Sequence, residues 1–104
     1  MAEPPSRLRL GLRRRLSELR RVRTVHPDLT TDNAIGCSWS EYVENVERQL
    51  QPGMAWDNYG SWQIDHIEPI GKADLADLAS ALAVFNFSNT RPVWAHENQK
   101  KGKR

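Results

Sequence analysis

Trp62-Gln63-Ile64-Asp65-His66-Ile67-Glu68-Pro69 and Asn89-Thr90-Arg91-Pro92-Val93-Trp94 are the two stretches whose reading decides the fold. Trp62, Ile64 and Ile67 suit a pleated, half-buried surface, and Pro69 closes the run before a helix can grow. A strand is therefore predicted over residues 60–67, with Asp65 and His66 at its end. A second strand is predicted over residues 89–94, where Pro92, lacking an N–H, restricts pairing to an edge or a distorted ladder. Between them Leu75, Leu78, Leu82 and Phe85 recur at spacings of three, four and three. That period predicts a helix over about residues 74–85 with Asp74 as its cap. A last short helix fits residues 95–101 and ends at Gly102. Strand, helix, strand, helix is the order at the C-terminal half.

Working toward the N-terminus, Ser38 followed by Glu41 has the spacing of a capping box. Trp39, Tyr42, Val43, Val46 and Leu50 then share one face of a helix that Gln51, Pro52 and Gly53 end. Residues 27–36 read as a loop. Ahead of it, Ser6 caps a helix whose apolar face is Leu8, Leu12, Leu16, Leu19 and Val22, stopped before Pro27 because proline disfavours helical backbone at His26. The fold class expected is α+β, mostly helical: a basic N-terminal helix over residues 1–26 and the remainder over 27–104, in one compact domain. Trp39, Trp56, Trp62 and Trp94 are expected in the core, and Cys37 as a small buried residue.

The chain has 104 residues, room for one core and no second full domain. Charged residues make up 27% and the mean hydropathy is -0.70, which suits a water-exposed domain rather than a membrane protein. One Cys excludes a disulfide framework and a Cys-based zinc ribbon. Arg interrupts Leu8, Leu10, Leu12 and Leu16, so neither a signal peptide nor a membrane span is expected, and the expected location is cytoplasmic, the host cytoplasm for a phage-encoded chain. The net charge of +2 hides a segregation: residues 1–25 carry +6, residues 26–90 carry -8 and residues 91–104 carry +4. Basic ends flanking an acidic middle suit a polyanion gripped at its backbone, while the carboxylates serve another purpose.

Asp65 and His66 divide an acid and a base between the two faces of one strand end. The carboxylate suits a hard divalent cation, and the imidazole can take a proton from water. Asn89 heads the second strand, and Asn98 follows nine residues later in the last helix.

Residues Trp62 to Pro69, then Phe87, Ser88 and Asn89 to Trp94, then Glu97, Asn98, Gln99, Lys100, Lys101 and Gly102, resemble HNH endonucleases, in particular the small HNH proteins of phages and prophages. Ile35, Gly36, Cys37, Ser38 and Gln51, Pro52, Gly53, Met54, with Trp56, Asp57, Asn58 and Tyr59, look like the upstream signature of that family. The resemblance spans residues 35–103, with the Arg-rich helix a looser match. It implies a ββα-metal (His-Me finger) fold with additional packed helices, in which Asp65 and Asn98 ligate one ion, His66 is the general base and Asn89 is structural, orienting the site.

The chain has Asp and Asn where the family name has His, and Gly102 stands where many relatives add another His. Oxygen ligands favour Mg²⁺ or Mn²⁺ over Zn²⁺, bound weakly until DNA arrives. The implied activity is hydrolysis of DNA phosphodiester bonds with little sequence specificity. His66 would activate water, and one ion would relieve charge on the leaving 3′ oxygen and leave 5′-phosphate ends.

Arg91, Lys100 and Lys101 are expected on phosphates beside the cut, with Lys103 and Arg104 either joining them or forming a basic tail. Arg9, Arg13, Arg14, Arg20 and Arg21 are expected to extend the DNA footprint or reach a second duplex arm. His96 reads as a solvent or phosphate contact, and His26 and Glu68 as bland. A monomer or weak dimer with one centre should nick. The alternative is a non-cleaving nucleic-acid-binding accessory of a phage packaging or recombination machine. A third reading makes the Arg-rich helix a protein-interaction or membrane-surface element.

Overall fold

In the computed structural model, which describes residues 6–100, the leucine stripe of the first sixteen-residue helix, α1 (Arg7–Val22), meets two separate apolar clusters. Leu16 is buried in one cluster with Leu29, Ile70, Leu75 and Phe85. Leu8 is buried in the other with Ile35, Tyr42, Val46, Trp56 and Trp62, and the partly buried Leu12 touches both. A single amphipathic helix thus pins two small cores together, each too small to bury much surface alone.

Val22 departs from the predicted stripe and is 77% exposed. The backbone turns extended at Arg23, whose guanidinium donates to the carbonyls of Ile70 and Ala73, and Val25 packs against the first cluster instead. Ser6 starts α1 through its carbonyl, with no side-chain cap.

The predicted loop over 27–36 contains a one-turn helix, α2 (Thr31–Ala34), closed by a reciprocal box between Thr30 and Asn33. Asparagine does there what glutamate does at the next helix, α3 (Trp39–Gln49), where Ser38 and Glu41 form the expected box. Gly36, between them, has φ +74°, and an added Cβ would lie 2.5 Å from Asn86 Nδ2, so the turn requires glycine.

The two predicted strands pair as an antiparallel hairpin of β1 (Trp62–His66) and β2 (Thr90–Trp94). The register sets Ile64 opposite Pro92, Asp65 opposite Arg91 and His66 opposite Thr90. Among the described residues this is a small α+β domain with five α-helices and one two-stranded sheet, so Pro92 sits on an edge as its missing N–H demands. The intervening helix, α4 (Leu78–Phe85), starts later than the predicted 74. Asp77 caps it by accepting from Ser80 N at 2.9 Å, whereas Asp74 accepts from Ala76 N and holds a turn. Leu75 is buried all the same, delivered by that turn. The last helix, α5 (Ala95–Lys100), lies against both strands, and α3 lies against β2. The predicted end at Lys101 and Gly102 falls outside the described residues.

Trp56 and Trp62 are buried as expected, while Trp39, Trp94 and Cys37 are only partly so. No helix among the described residues is long and apolar enough to cross a membrane.

Candidate functional site

The end of β1, Asn98 of α5 and one face of α1 border a cavity of about 550 Å³. Asp65, His66 and Asn98 all border it, together with Thr90 and Tyr42, so three of the four motif residues read from the sequence converge on one space. Alternation along β1 puts Gln63 and Asp65 on the same face. Asn98 on α5 reaches that face, donating Nδ2 to Gln63 Oε1 at 2.9 Å. Its Oδ1 remains the acceptor of the amide.

Asp65 is only 6% exposed, and its Oδ2 lies 3.4 Å from Arg91 Nη2 across the hairpin. His66 is partly buried with its ring edge-on to Phe85, centroids 5.7 Å apart. Burial first, then the charge of Arg15, pull the imidazole pKa down to about 4 against the opposing effect of Asp65. His66 is therefore neutral near pH 7, the state a proton acceptor needs.

The fourth motif residue does not border the cavity. Asn89 accepts from Glu68 N at 2.8 Å through Oδ1 and donates Nδ2 to Glu68 O and to Val84 O. Its backbone carbonyl accepts from Ile67 N. One side chain thus ties the exit of β1 to the end of α4, which sets the direction in which Asp65 and His66 are presented.

Arg15 lines the cavity and was absent from the sequence-derived set. Its signal was available, since Leu8, Gly11, Leu12 and Arg15 all face the cavity at the i, i+3, i+4, i+7 spacing of one helix face. Of the arginines expected on DNA, Arg9 is engaged within the fold, paired with Asp32 and 5.4 Å above the Trp39 ring. Arg20 donates to the Leu29 carbonyl. Arg13, Arg14 and Arg21 are exposed. The side chain of Lys100, and Lys101, Lys103 and Arg104 entirely, lie outside the described residues. His96 and Glu68 are exposed, and His26 Nδ1 accepts from Asp28 N.

No group of three or more His, Cys, Asp or Glu side chains that could hold a metal occurs among the described residues. The donor set at the cavity is one buried carboxylate and one amide oxygen, which fits a hard divalent cation with most of its shell from water or substrate.

The depressed pKa of His66 has a measurable consequence for stability. An unfolded His titrates near 6.5, so between pH 6.5 and 4 the unfolded chain binds a proton that the folded chain refuses. Stability is fullest above pH 6.5 and falls as the pH drops, by about 2 kcal/mol between pH 7 and pH 5. Urea denaturation of wild type and His66→Gln in chelator checks this: the acid-side loss should shrink in the variant, and an equal loss in both would assign it to other groups.

No family model matches the chain, and no solved structure matches it. Two uncharacterized proteins of Acanthamoeba polyphaga mimivirus, L246 and L426, are each 34% identical to it, over 65 and 68 residues respectively. Those segments cover 62% and 64% of this chain but only 29% and 30% of the viral proteins. The chain therefore spans less than a third of the length of these curated relatives, and what it is similar to is one segment of each.

Proposed function

We propose that this protein is a metal-dependent endonuclease of the HNH type that nicks DNA with little sequence specificity. The observation that carries the reading is the convergence of Asp65, His66 and Asn98 on one cavity, backed by Asn89 clamping the strand end. The order β1, β2, α5 around them supports a ββα-metal arrangement, with Asp65 and Asn98 as the residues that would hold Mg²⁺ or Mn²⁺. An ion bound there supplies Lewis-acid relief of negative charge on the phosphate and the leaving oxygen.

The chain's own residues then have separate tasks. Neutral His66 accepts a proton from water as the water oxygen bonds to phosphorus and the bond to the 3′ oxygen breaks. Arg15, which also lines the cavity, supplies positive charge for a non-bridging phosphate oxygen. Arg13, Arg14 and Arg21 on the outer face of α1 hold flanking phosphates and position the strand without reading bases.

One observation favours the non-cleaving accessory reading. The cavity's buried carboxylate is already paired with Arg91, an arrangement that needs no metal. The two readings part in one assay, supercoiled plasmid incubated with wild type or Asp65→Asn in Mg²⁺, Mn²⁺ or chelator. The nuclease reading expects open circles from wild type in either metal and none in chelator or with the variant. DNA bound but uncut by wild type in both metals would instead establish the accessory reading.

A further inference from the structure

The Asp65–Arg91 pair is set by register, since the two residues face one another across the hairpin. At 3.4 Å it is longer than the roughly 2.7–2.9 Å of a well-formed charge-assisted hydrogen bond. The guanidinium gains little else in this position: Arg91 Nε is buried with no hydrogen-bond partner among the described residues. Arg91 thus bears a desolvation cost at Nε while making one long contact at Nη2, and 38% of its side chain already meets solvent. Asp65 is buried at 6% exposure, where positive charge beside its carboxylate is favourable. A guanidinium and a divalent cation can each provide it, but their mutual repulsion keeps both from doing so at full strength.

We infer that Arg91 is a place-holding counter-ion: cation binding at Asp65 displaces the guanidinium, and the displaced guanidinium takes a phosphate oxygen of the nucleic acid. This rests on the proposed role of Asp65 as a cation ligand. It explains how one carboxylate and one amide can make a site that is weak alone and strengthened by DNA. Because coupling is reciprocal, the cation raises DNA affinity by the factor by which DNA raises cation affinity. Arg91 is a positioning residue here, since its effect on chemistry runs through the occupancy of Asp65.

The test is calorimetric titration of Mn²⁺, without DNA, into wild type, Arg91→Gln, Arg91→Lys and Asp65→Asn. Arg91→Gln should bind Mn²⁺ about two- to fivefold more tightly than wild type, the order expected when one partly exposed competing charge is removed. Arg91→Lys, which keeps the charge, should stay near wild type. In a His66→Ala background, Mn²⁺ should raise affinity for a short duplex, and adding Arg91→Gln should shrink that rise by the share the displaced guanidinium contributes.

A readout in the intact protein guards against a misfolded variant. The Arg91 Nε–H resonance, protected by burial and identified by its absence in Arg91→Lys, should shift and exchange faster with solvent as Mg²⁺ is added. Mn²⁺ binding that depends on Asp65 but is unchanged or weakened in Arg91→Gln, or an unmoved Nε–H signal, overturns the exchange and leaves the metal site standing. No Asp65-dependent binding in any protein overturns both.

Discussion

If the proposed nuclease mechanism holds, His66→Ala should lower nicking of supercoiled plasmid by about 10²- to 10⁴-fold, the range general-base catalysis contributes, and should leave DNA binding unchanged. The separation follows from where His66 sits. It borders the cavity at the end of β1, while the exposed cations Arg13, Arg14 and Arg21 belong to α1. In the proposed mechanism, removing the imidazole takes away the proton acceptor and leaves the proposed phosphate contacts on the outer helix face in place. The substitution also relieves a burial penalty, since the folded protein holds this imidazole neutral well below its ordinary pKa. The variant should accordingly be no less stable at acid pH than wild type, apart from the lost contact with the Phe85 ring. Rates measured beside duplex binding in a gel-shift or anisotropy assay check both halves. A variant that cuts as well as wild type would remove His66 from the mechanism.

Trp62→Ala should cost about 3–5 kcal/mol, against a total stability of about 5–15 kcal/mol for a domain of this size. Trp62 is fully buried, its ring 5.3 Å from Trp56 and 5.0 Å from Tyr59 between centroids. Its Nε1 donates to both Ala55 O and Asn58 Oδ1. Asn58 in turn accepts from Ala55 N and donates to Gly53 O, so the indole adds two hydrogen bonds to a turn that Asn58 ties. Truncation leaves a cavity and strips a donor from two partly buried acceptors, which places it among the costliest kinds of substitution. Trp62→Phe retains much of the volume and should lose only about 1–2 kcal/mol through the missing N–H. Urea midpoints of the two variants separate the volume and hydrogen-bond contributions. Equal losses would show that the hydrogen bonds alone hold this turn.

Much of the scaffold was legible along the chain because its signals are local. The Ser38–Glu41 box starts α3 where spacing predicts, and the apolar residues of β1 and β2 mark strands that pair. The start of α4 was misplaced because Asp74 and Asp77 are equally good caps on paper. The structure uses Asp77 for the helix and Asp74 for a turn, a choice made by how Leu75 must be delivered into the core. Val22 fits the periodicity of α1 as well as Leu19 does, yet Val25 takes its place because the backbone leaves the helix at Arg23 to reach the carbonyls of Ile70 and Ala73. Asn33 standing in for glutamate hid α2 in a segment that reads as loop.

By itself the sequence determined both strands and four of the five α-helices, the Ser38–Glu41 cap of α3, and the set Asp65, His66, Asn89 and Asn98, singled out by likeness to a motif. Tertiary structure decided which of these share a space. It brought Asp65, His66 and Asn98 to one cavity, placed Asn89 behind it as a backbone clamp, added Arg15 from a helix fifty residues away and set Arg91 against Asp65. The physical reason is range. Caps, turns and periodicity depend on neighbours along the chain, whereas a salt bridge across a hairpin or a charge facing an imidazole depends on register and on which helix face meets the sheet. Those are chosen only when both apolar clusters are buried at once.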